Sequence, residues 1–222
     1  MVVTKIHLSW RKGKGYERRI IGEIYRFGGM GYNFKYLKEG VEDAKKEGFI
    51  NYPEFPDSSD WNFVYTEGIK EIFSLRLIPE GRSDRKQYLA FWEADKSEYD
   101  WFDQLALTQG MLSTDNFEFL GIYNPPKINS FVTDVANLSK RNLAKDTIMT
   151  DDTLTYKIED TIYDFNGKCV KLFHNGYEIG FIKKIHNIFF WEAENRGFTP
   201  KVKIKAIDQN GNIKQIYVKV YL

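Results

Sequence analysis

Three lysines at alternate positions, Lys201, Lys203 and Lys205, stand in the run Lys-Val-Lys-Ile-Lys-Ala. Residues two apart on an extended strand share a face. The run therefore predicts a basic stripe, with Val202, Ile204 and Ala206 on the opposite face. Lys183-Lys184 is a second basic pair, and Tyr163, Phe173, Tyr177 and Phe181 lie close to it in sequence. Ammonium groups meet phosphates and aromatic rings stack on bases, the combination that single-strand binders use. A lysine-covered strand face also serves as solvated surface or protects a sheet edge, and the spacing alone fits both uses.

Other chemistry finds less support. His7, His174 and His186 have neither i, i+4 spacing nor an HExxH pattern, and read as surface or turn residues rather than metal ligands. Asp134, Asp160 and Asp164 could hold a divalent cation, but they lack the nuclease spacing of carboxylates with a following lysine. No Gly-x-Ser-x-Gly elbow is present for a nucleophilic serine. Cys169, the only cysteine, falls in a strand pattern with no base nearby and reads as a small buried hydrophobe. The cluster Gly28-Gly29-Met30-Gly31 is followed by the extended-looking Tyr32 to Tyr36 and by no Gly-Lys-Ser/Thr, so it reads as a turn rather than a phosphate loop. The expectation is a protein with no catalytic residues, no metal and no cofactor.

The elements that must position these residues are legible in part. Asn175-Gly176 is a strong signal for a tight hairpin, because its turn needs positive φ at both central residues. The flanks, Cys169 to His174 and Tyr177 to Ile182, are rich in β-branched and aromatic residues. Gly180 within the second flank predicts a bulge or a close backbone approach. Further strands are expected over 5–10, 18–27, 117–123, 129–138, 154–159 and 201–206, with Asn210-Gly211 turning into a last strand over 213–221. Helices are expected over 37–47, over 66–77 behind a Thr66 cap, over 83–93 from Ser83, over 97–109 from a near capping box at Ser97 to Asp100, and over 183–196. Ile185, Ile188, Phe189 and Glu192 fall along one side of that last helix. Asn124-Pro125-Pro126 is the best domain boundary.

The chain has 222 residues, a formal net charge of +1 and 16% aromatic residues. That length suits one or two domains with a sizeable core. The charge gives no global pull toward nucleic acid, so any such binding must come from a local patch. No run approaches the roughly 20 apolar residues of a membrane span, and residues 1–15 carry no long apolar stretch. A cytoplasmic location is expected, with no membrane association.

Two stretches carry a family resemblance. Asp160-Thr161-Ile162-Tyr163-Asp164-Phe165-Asn166-Gly167, followed by Gly180-Phe181-Ile182-Lys183-Lys184, resembles the Asn-Pro-Tyr-Asp-x-Asn-Ala run and the later Gly-x-Ile motif of the HIRAN domain. It covers the chain from about Phe131 onward, with Ile162 where the family has proline. The resemblance implies an OB-like barrel that binds DNA, notably single-stranded 3′ ends. It implies that Tyr163 stacks on a terminal base, that Asp164 accepts a hydrogen bond from a terminal hydroxyl beside Asn166, and that Lys183 or Lys184 meets phosphate. The run Tyr36 to Ala44, with Phe55-Pro56-Asp57 and Leu107-Thr108-Gln109-Gly110, resembles the leading region of stand-alone bacterial HIRAN proteins. It is distantly similar to the N-terminal subdomain of HipA-type toxins, without kinase motifs.

The expected fold is thus α+β, with an N-terminal α+β interaction domain over 1–124 and a small OB-like barrel carrying one helix over 125–222. The expected function is non-catalytic binding of single-stranded DNA or DNA ends through Tyr163, Asp164, Asn166, Lys183, Lys184, Lys201, Lys203 and Lys205. The alternative is a bacterial or phage regulator whose barrel does not bind DNA. In either case a protein partner could dock on residues 1–124.

Overall fold

The computed structural model describes residues 2–28, 31–138, 141, 143–144, 146–162, 167–210 and 212–222, without the side chain of Asn210. Gly29 and Met30 of the expected turn, the expected site residues Tyr163, Asp164 and Asn166, and Gly211 lie outside the described residues. The chain is mixed α+β, with strands predominating, and divides into two compact units, Met1–Ile122 and Tyr123–Leu222. Among the described residues, no helix is long and apolar enough to cross a membrane.

The first unit is a four-stranded antiparallel sheet of β1 (Lys5–Trp10), β2 (Arg19–Phe27), β3 (Gly31–Tyr36) and β4 (Phe117–Gly121), in the order β3-β2-β1-β4. Alternation places Ile6, Leu8, Ile24, Phe34 and Phe119 on one face, all fully buried. Phe34 is the centre of an aromatic cluster, 4.8 Å from Phe55, 5.6 Å from Phe73 and 5.8 Å from Tyr65 between ring centroids. The helix α1 (Lys38–Lys46) buries Val41 and Ala44. It sits so close to β2 that a Cβ on Gly40 would lie 1.7 Å from the Ile20 carbonyl oxygen.

The other helices of this unit are shorter than the periodicity predicts, for identifiable reasons. α2 (Ile69–Ser74) begins only after Gly68, which is left-handed at φ 67°, so Thr66 is not its cap. α3 (Arg85–Phe91) follows Asp84 rather than Ser83, and the Asp84 carboxylate is taken by a two-pronged pair with Arg82, both contacts at 2.8 Å. α4 (Trp101–Thr108) does have a capping box, but it is formed by Asp100 and Asp103 and not by Ser97 to Asp100. Asp100 accepts from the backbone amides of Phe102 and Asp103, and both aspartates also bind Arg26. Arg26 thereby ties β2 to the start of α4, with its guanidinium 4.6 Å from the Phe102 ring centre.

The second unit is a closed six-stranded antiparallel barrel. Its strands are β5 (Ser130–Ala136), β6 (Thr153–Asp160), β7 (Lys168–His174), β8 (Tyr177–Ile182), β9 (Lys201–Asn210) and β10 (Asn212–Tyr221), closing in the order β10-β5-β8-β7-β6-β9. Asn175 and Gly176 have φ of 49° and 84° and join His174 to its partner Tyr177, as the hairpin signal requires. Aliphatic side chains such as Val170, Leu172, Val202, Ile204 and Val218 point inward and are buried.

The predicted helix over 183–196 is two pieces. Ile185 has φ 54°, a left-handed value that a β-branched residue rarely adopts, so the helical backbone cannot run through it. A 3-10 turn over Ile185–Asn187 leads into α5 (Ile188–Asn195). The side that α5 buries is Phe189, Phe190 and Ala193, while Ile188 and Glu192 are only half-buried. Phe189 packs on Phe131 at 5.1 Å and Phe190 on Tyr156 at 4.9 Å.

Candidate nucleic-acid interface

β9 carries the predicted stripe, with one change of register. Val202 and Ile204 are buried, while Lys201 is exposed and Lys203 and Lys205 are half-exposed. Ala206 does not continue the inner row. Tyr217 of β10 pairs with Ala206 and the next residue, Val218, pairs with Ile204, which leaves Lys205 as the extra residue of a β-bulge. The bulge turns Ala206 to the outer face beside Lys205. Nothing in the local alternation could signal it.

The neighbouring strands extend the face. Across β10, Lys203 opposes Lys219 and Lys201 opposes Tyr221. Across β6, Lys203 opposes Thr153, and Thr155 on the same face opposes Phe173 of β7. Three lysines, Lys201, Lys203 and Lys219, and two small, exposed threonines therefore share this face with Phe173 on one flank and Tyr221 on the other. Phe173 was identified from sequence. Lys219 and Tyr221 were missed, although the alternation Tyr217-Val218-Lys219-Val220-Tyr221 was there to read.

Carboxylates are distributed unevenly over the outer surface. On β6 and β7, Glu159 sits between Lys157 at 3.0 Å and Lys171 at 2.6 Å, which together hold its carboxyl below the ordinary range, Lys171 most strongly. Glu178 of β8 pairs with Arg141 and lies 4.0 Å from Lys171. That surface is a ladder of alternating cations and carboxylates. On β9, Asp151 meets Lys203 at 2.9 Å, and its hydrogen bond pushes the lysine's pKa up.

The remaining predicted residues fall in different places. Lys183 is buried and ion-paired with Asp134 of β5, so its ammonium is not presented to a phosphate. This corrects the expectation for Lys183. The pairing joins β5 to the residue just after β8, far apart in sequence, which no local pattern reveals. Lys184 is half-buried immediately before the 3-10 turn. Tyr163, Asp164 and Asn166 lie outside the described residues. The residues bracketing them form an open hollow lined by Asp160, Thr161, Ile162 and Gly167. The Thr161 amide donates to the Gly167 carbonyl at 2.9 Å, and Lys168 pairs with Asp160 at 2.8 Å.

Two of the three histidines, His7 and His186, are not the surface or turn residues expected. His7 and His186 are buried. His186 stacks on Tyr123 at 5.0 Å, with Nδ1 2.8 Å from the Thr133 hydroxyl. His174 lies 3.0 Å from Asp152. Burial lowers the pKa of His7 to about 4, against a smaller upward pull from Glu23. Cys169 is half-buried. Among the described residues, no three His, Cys, Asp or Glu side chains converge as a metal site would require.

His7 has a measurable consequence. Its folded pKa of about 4 lies below the ordinary histidine value of 6.5, so between these values the unfolded chain binds the proton more readily. Its contribution is complete above pH 6.5 and is lost as the pH falls toward 4, up to about 3 kcal/mol in all. Urea midpoints measured across that range should show a shallower decline in a His7→Gln variant. Parallel declines in the two proteins would rule out this role for His7.

Comparison of the chain with protein-family models, with curated proteins and with solved structures gives no match.

Proposed function

We propose that the C-terminal unit is an OB-like barrel of the HIRAN type that binds single-stranded DNA or DNA ends without catalysis. The observation that supports this most is the outer face of β9 in a closed antiparallel barrel, where Lys201 and Lys203 lie between Phe173 and Tyr221. Barrels of this size bind single strands with a basic track and flanking aromatic platforms. Lysines supply affinity that is independent of sequence, and rings supply stacking that every base accepts. In this reading Tyr163, Asp164 and Asn166 recognise the strand's 3′ end, Lys184 adds a phosphate contact and Lys201, Lys203 and Lys205 track the backbone.

The test is a titration with single-stranded oligonucleotides carrying a free or a blocked 3′ end, at about 50 and 200 mM salt. Binding should weaken steeply with salt, and blocking the end should weaken it further. Absence of binding at the lower salt rejects the proposal. Insensitivity to the block removes Tyr163 and Asp164 from it. Lys203→Glu should weaken binding about tenfold at low salt for every sequence tried, and reduce the salt slope by about 1. A loss confined to one sequence would place Lys203 at a base and not at a phosphate.

A further inference from the structure

The ion pair on β9 bears on how that face is used. Asp151 is held by its backbone: its amide donates to the Ile204 carbonyl at 2.9 Å, and the Ile204 amide donates to the Asp152 carbonyl at 2.9 Å. These two bonds dock the preceding turn on β9 beside Lys203. The adjacent carboxylate is used locally, since Asp152 accepts from the Met149 amide at 2.8 Å and lies 3.0 Å from His174. The Asp151 side chain is instead 75% exposed, and its carboxylate meets the ammonium of Lys203, whose side chain is 42% exposed.

Asp151 has φ 74°, a left-handed conformation that asparagine adopts at least as readily. The backbone at this position therefore does not require a charge. What the charge does is place an anionic oxygen over one lysine of the stripe. Lys201 and Lys203 are two residues apart on one strand face, about 6.7 Å, a repeat that suits successive phosphates of an extended single strand.

We infer that Asp151 is a built-in phosphate mimic, which a single-stranded nucleic acid displaces from Lys203 as its backbone runs along β9. The inference rests on the proposed DNA-binding reading. An exposed pair of this kind is weak, so a polyanion with several contacts displaces it. Breaking the pair with Lys203 costs part of the binding free energy, so the strand binds less tightly than it would to an unpaired lysine. Asp151 thus keeps the face from holding single phosphates while leaving it open to a strand that engages Lys201 and Lys203 together.

The experiment uses the full chain, a labelled oligothymidylate and a duplex of the same length. Asp151→Asn keeps the turn and removes the charge. It should bind oligothymidylate about three- to tenfold more tightly than the unaltered chain at about 50 mM salt, with a salt slope steeper by up to about 1. In a Lys203→Gln background the same change should have little effect, because the lysine it releases is gone. Equal affinities for Asp151→Asn and the unaltered chain overturn the inference while leaving DNA binding intact. A gain that persists without Lys203 also overturns it, since it would then reflect general charge. An equal gain on the duplex overturns the single-strand assignment. Failure of all variants to bind any oligonucleotide would sink the DNA-binding reading itself, and this inference with it.

Discussion

Gly180→Ala should cost the barrel about 4 kcal/mol, from a strained backbone and an overpacked seam together. Gly180 lies in β8 at φ 153°, a conformation that L side chains rarely adopt. A Cβ there would stand 2.5 Å from Val135 Cγ1 and 2.6 Å from the Ala136 carbonyl oxygen. Both atoms belong to β5, the strand across the seam. That seam is short, with Val135 opposite Ile182 and Ala136 opposite Phe181. Few hydrogen bonds resist a methyl group wedged between the two strands, so the closed ring should open there first. Gly176 is the control. It also has positive φ, at 84°, but nothing lies within 4 Å of its added Cβ. Gly176→Ala should cost only the conformational part, about 1 kcal/mol. Urea unfolding of the two variants separates the terms. If Gly180→Ala costs no more than Gly176→Ala, close approach is not what selects glycine in β8.

Gly40→Ala should destabilise the N-terminal unit by a similar amount, about 4 kcal/mol, against the sign that helix propensity predicts. Glycine inside a helix ordinarily costs about 1 kcal/mol relative to alanine, so the substitution should help an isolated α1. Here the added Cβ would fall 1.7 Å from the Ile20 carbonyl oxygen and 2.6 Å from its carbon. Neither atom is the movable end of a side chain. The overlap is relieved only by lifting α1 off β2, which exposes Val41 and Ala44. Lys38→Ala, on the exposed side of the same helix, should change stability by less than about 0.5 kcal/mol. Equilibrium unfolding of both variants decides the matter, and a stabilised Gly40→Ala would show that α1 does not depend on this contact.

The two glycines differ in how far sequence anticipates them. Gly180 interrupts a strand pattern, and an interruption of that kind already points to a bulge or a close approach. Gly40 sits in a helical pattern where its cost is visible but its reason is not, because the reason is the carbonyl of Ile20 on another element. Lys183 and Lys203 differ in the same way. Both are lysines near strand ends, equal candidates for a phosphate. The fold gives one of them Asp134 in a buried pair and leaves the other on the surface beside Asp151. His7 and His186 read as surface residues because they lack metal-ligand spacing and histidine is polar, but burial depends on what packs over them.

Local chemistry by itself determined the Asn175-Gly176 hairpin, the alternating strands, the lysine stripe of β9 and the mixed α+β character. Each depends on residues within a few positions of one another, on positive φ at a turn or on a period of two. Tertiary structure alone decided the order in which six strands close the expected barrel, the bulge that turns Ala206 outward, the breaks that shorten the helices and the partner each charge receives. Closure and bulging depend on pairing between strands far apart in the chain. Burial of a charge depends on whether an opposite charge from a distant strand offsets the cost of leaving water. Lys201 and Lys203 were therefore recognisable as a basic face, while Phe173, Tyr221 and Asp151 joined them only when β7, β10 and the turn before β6 were brought alongside.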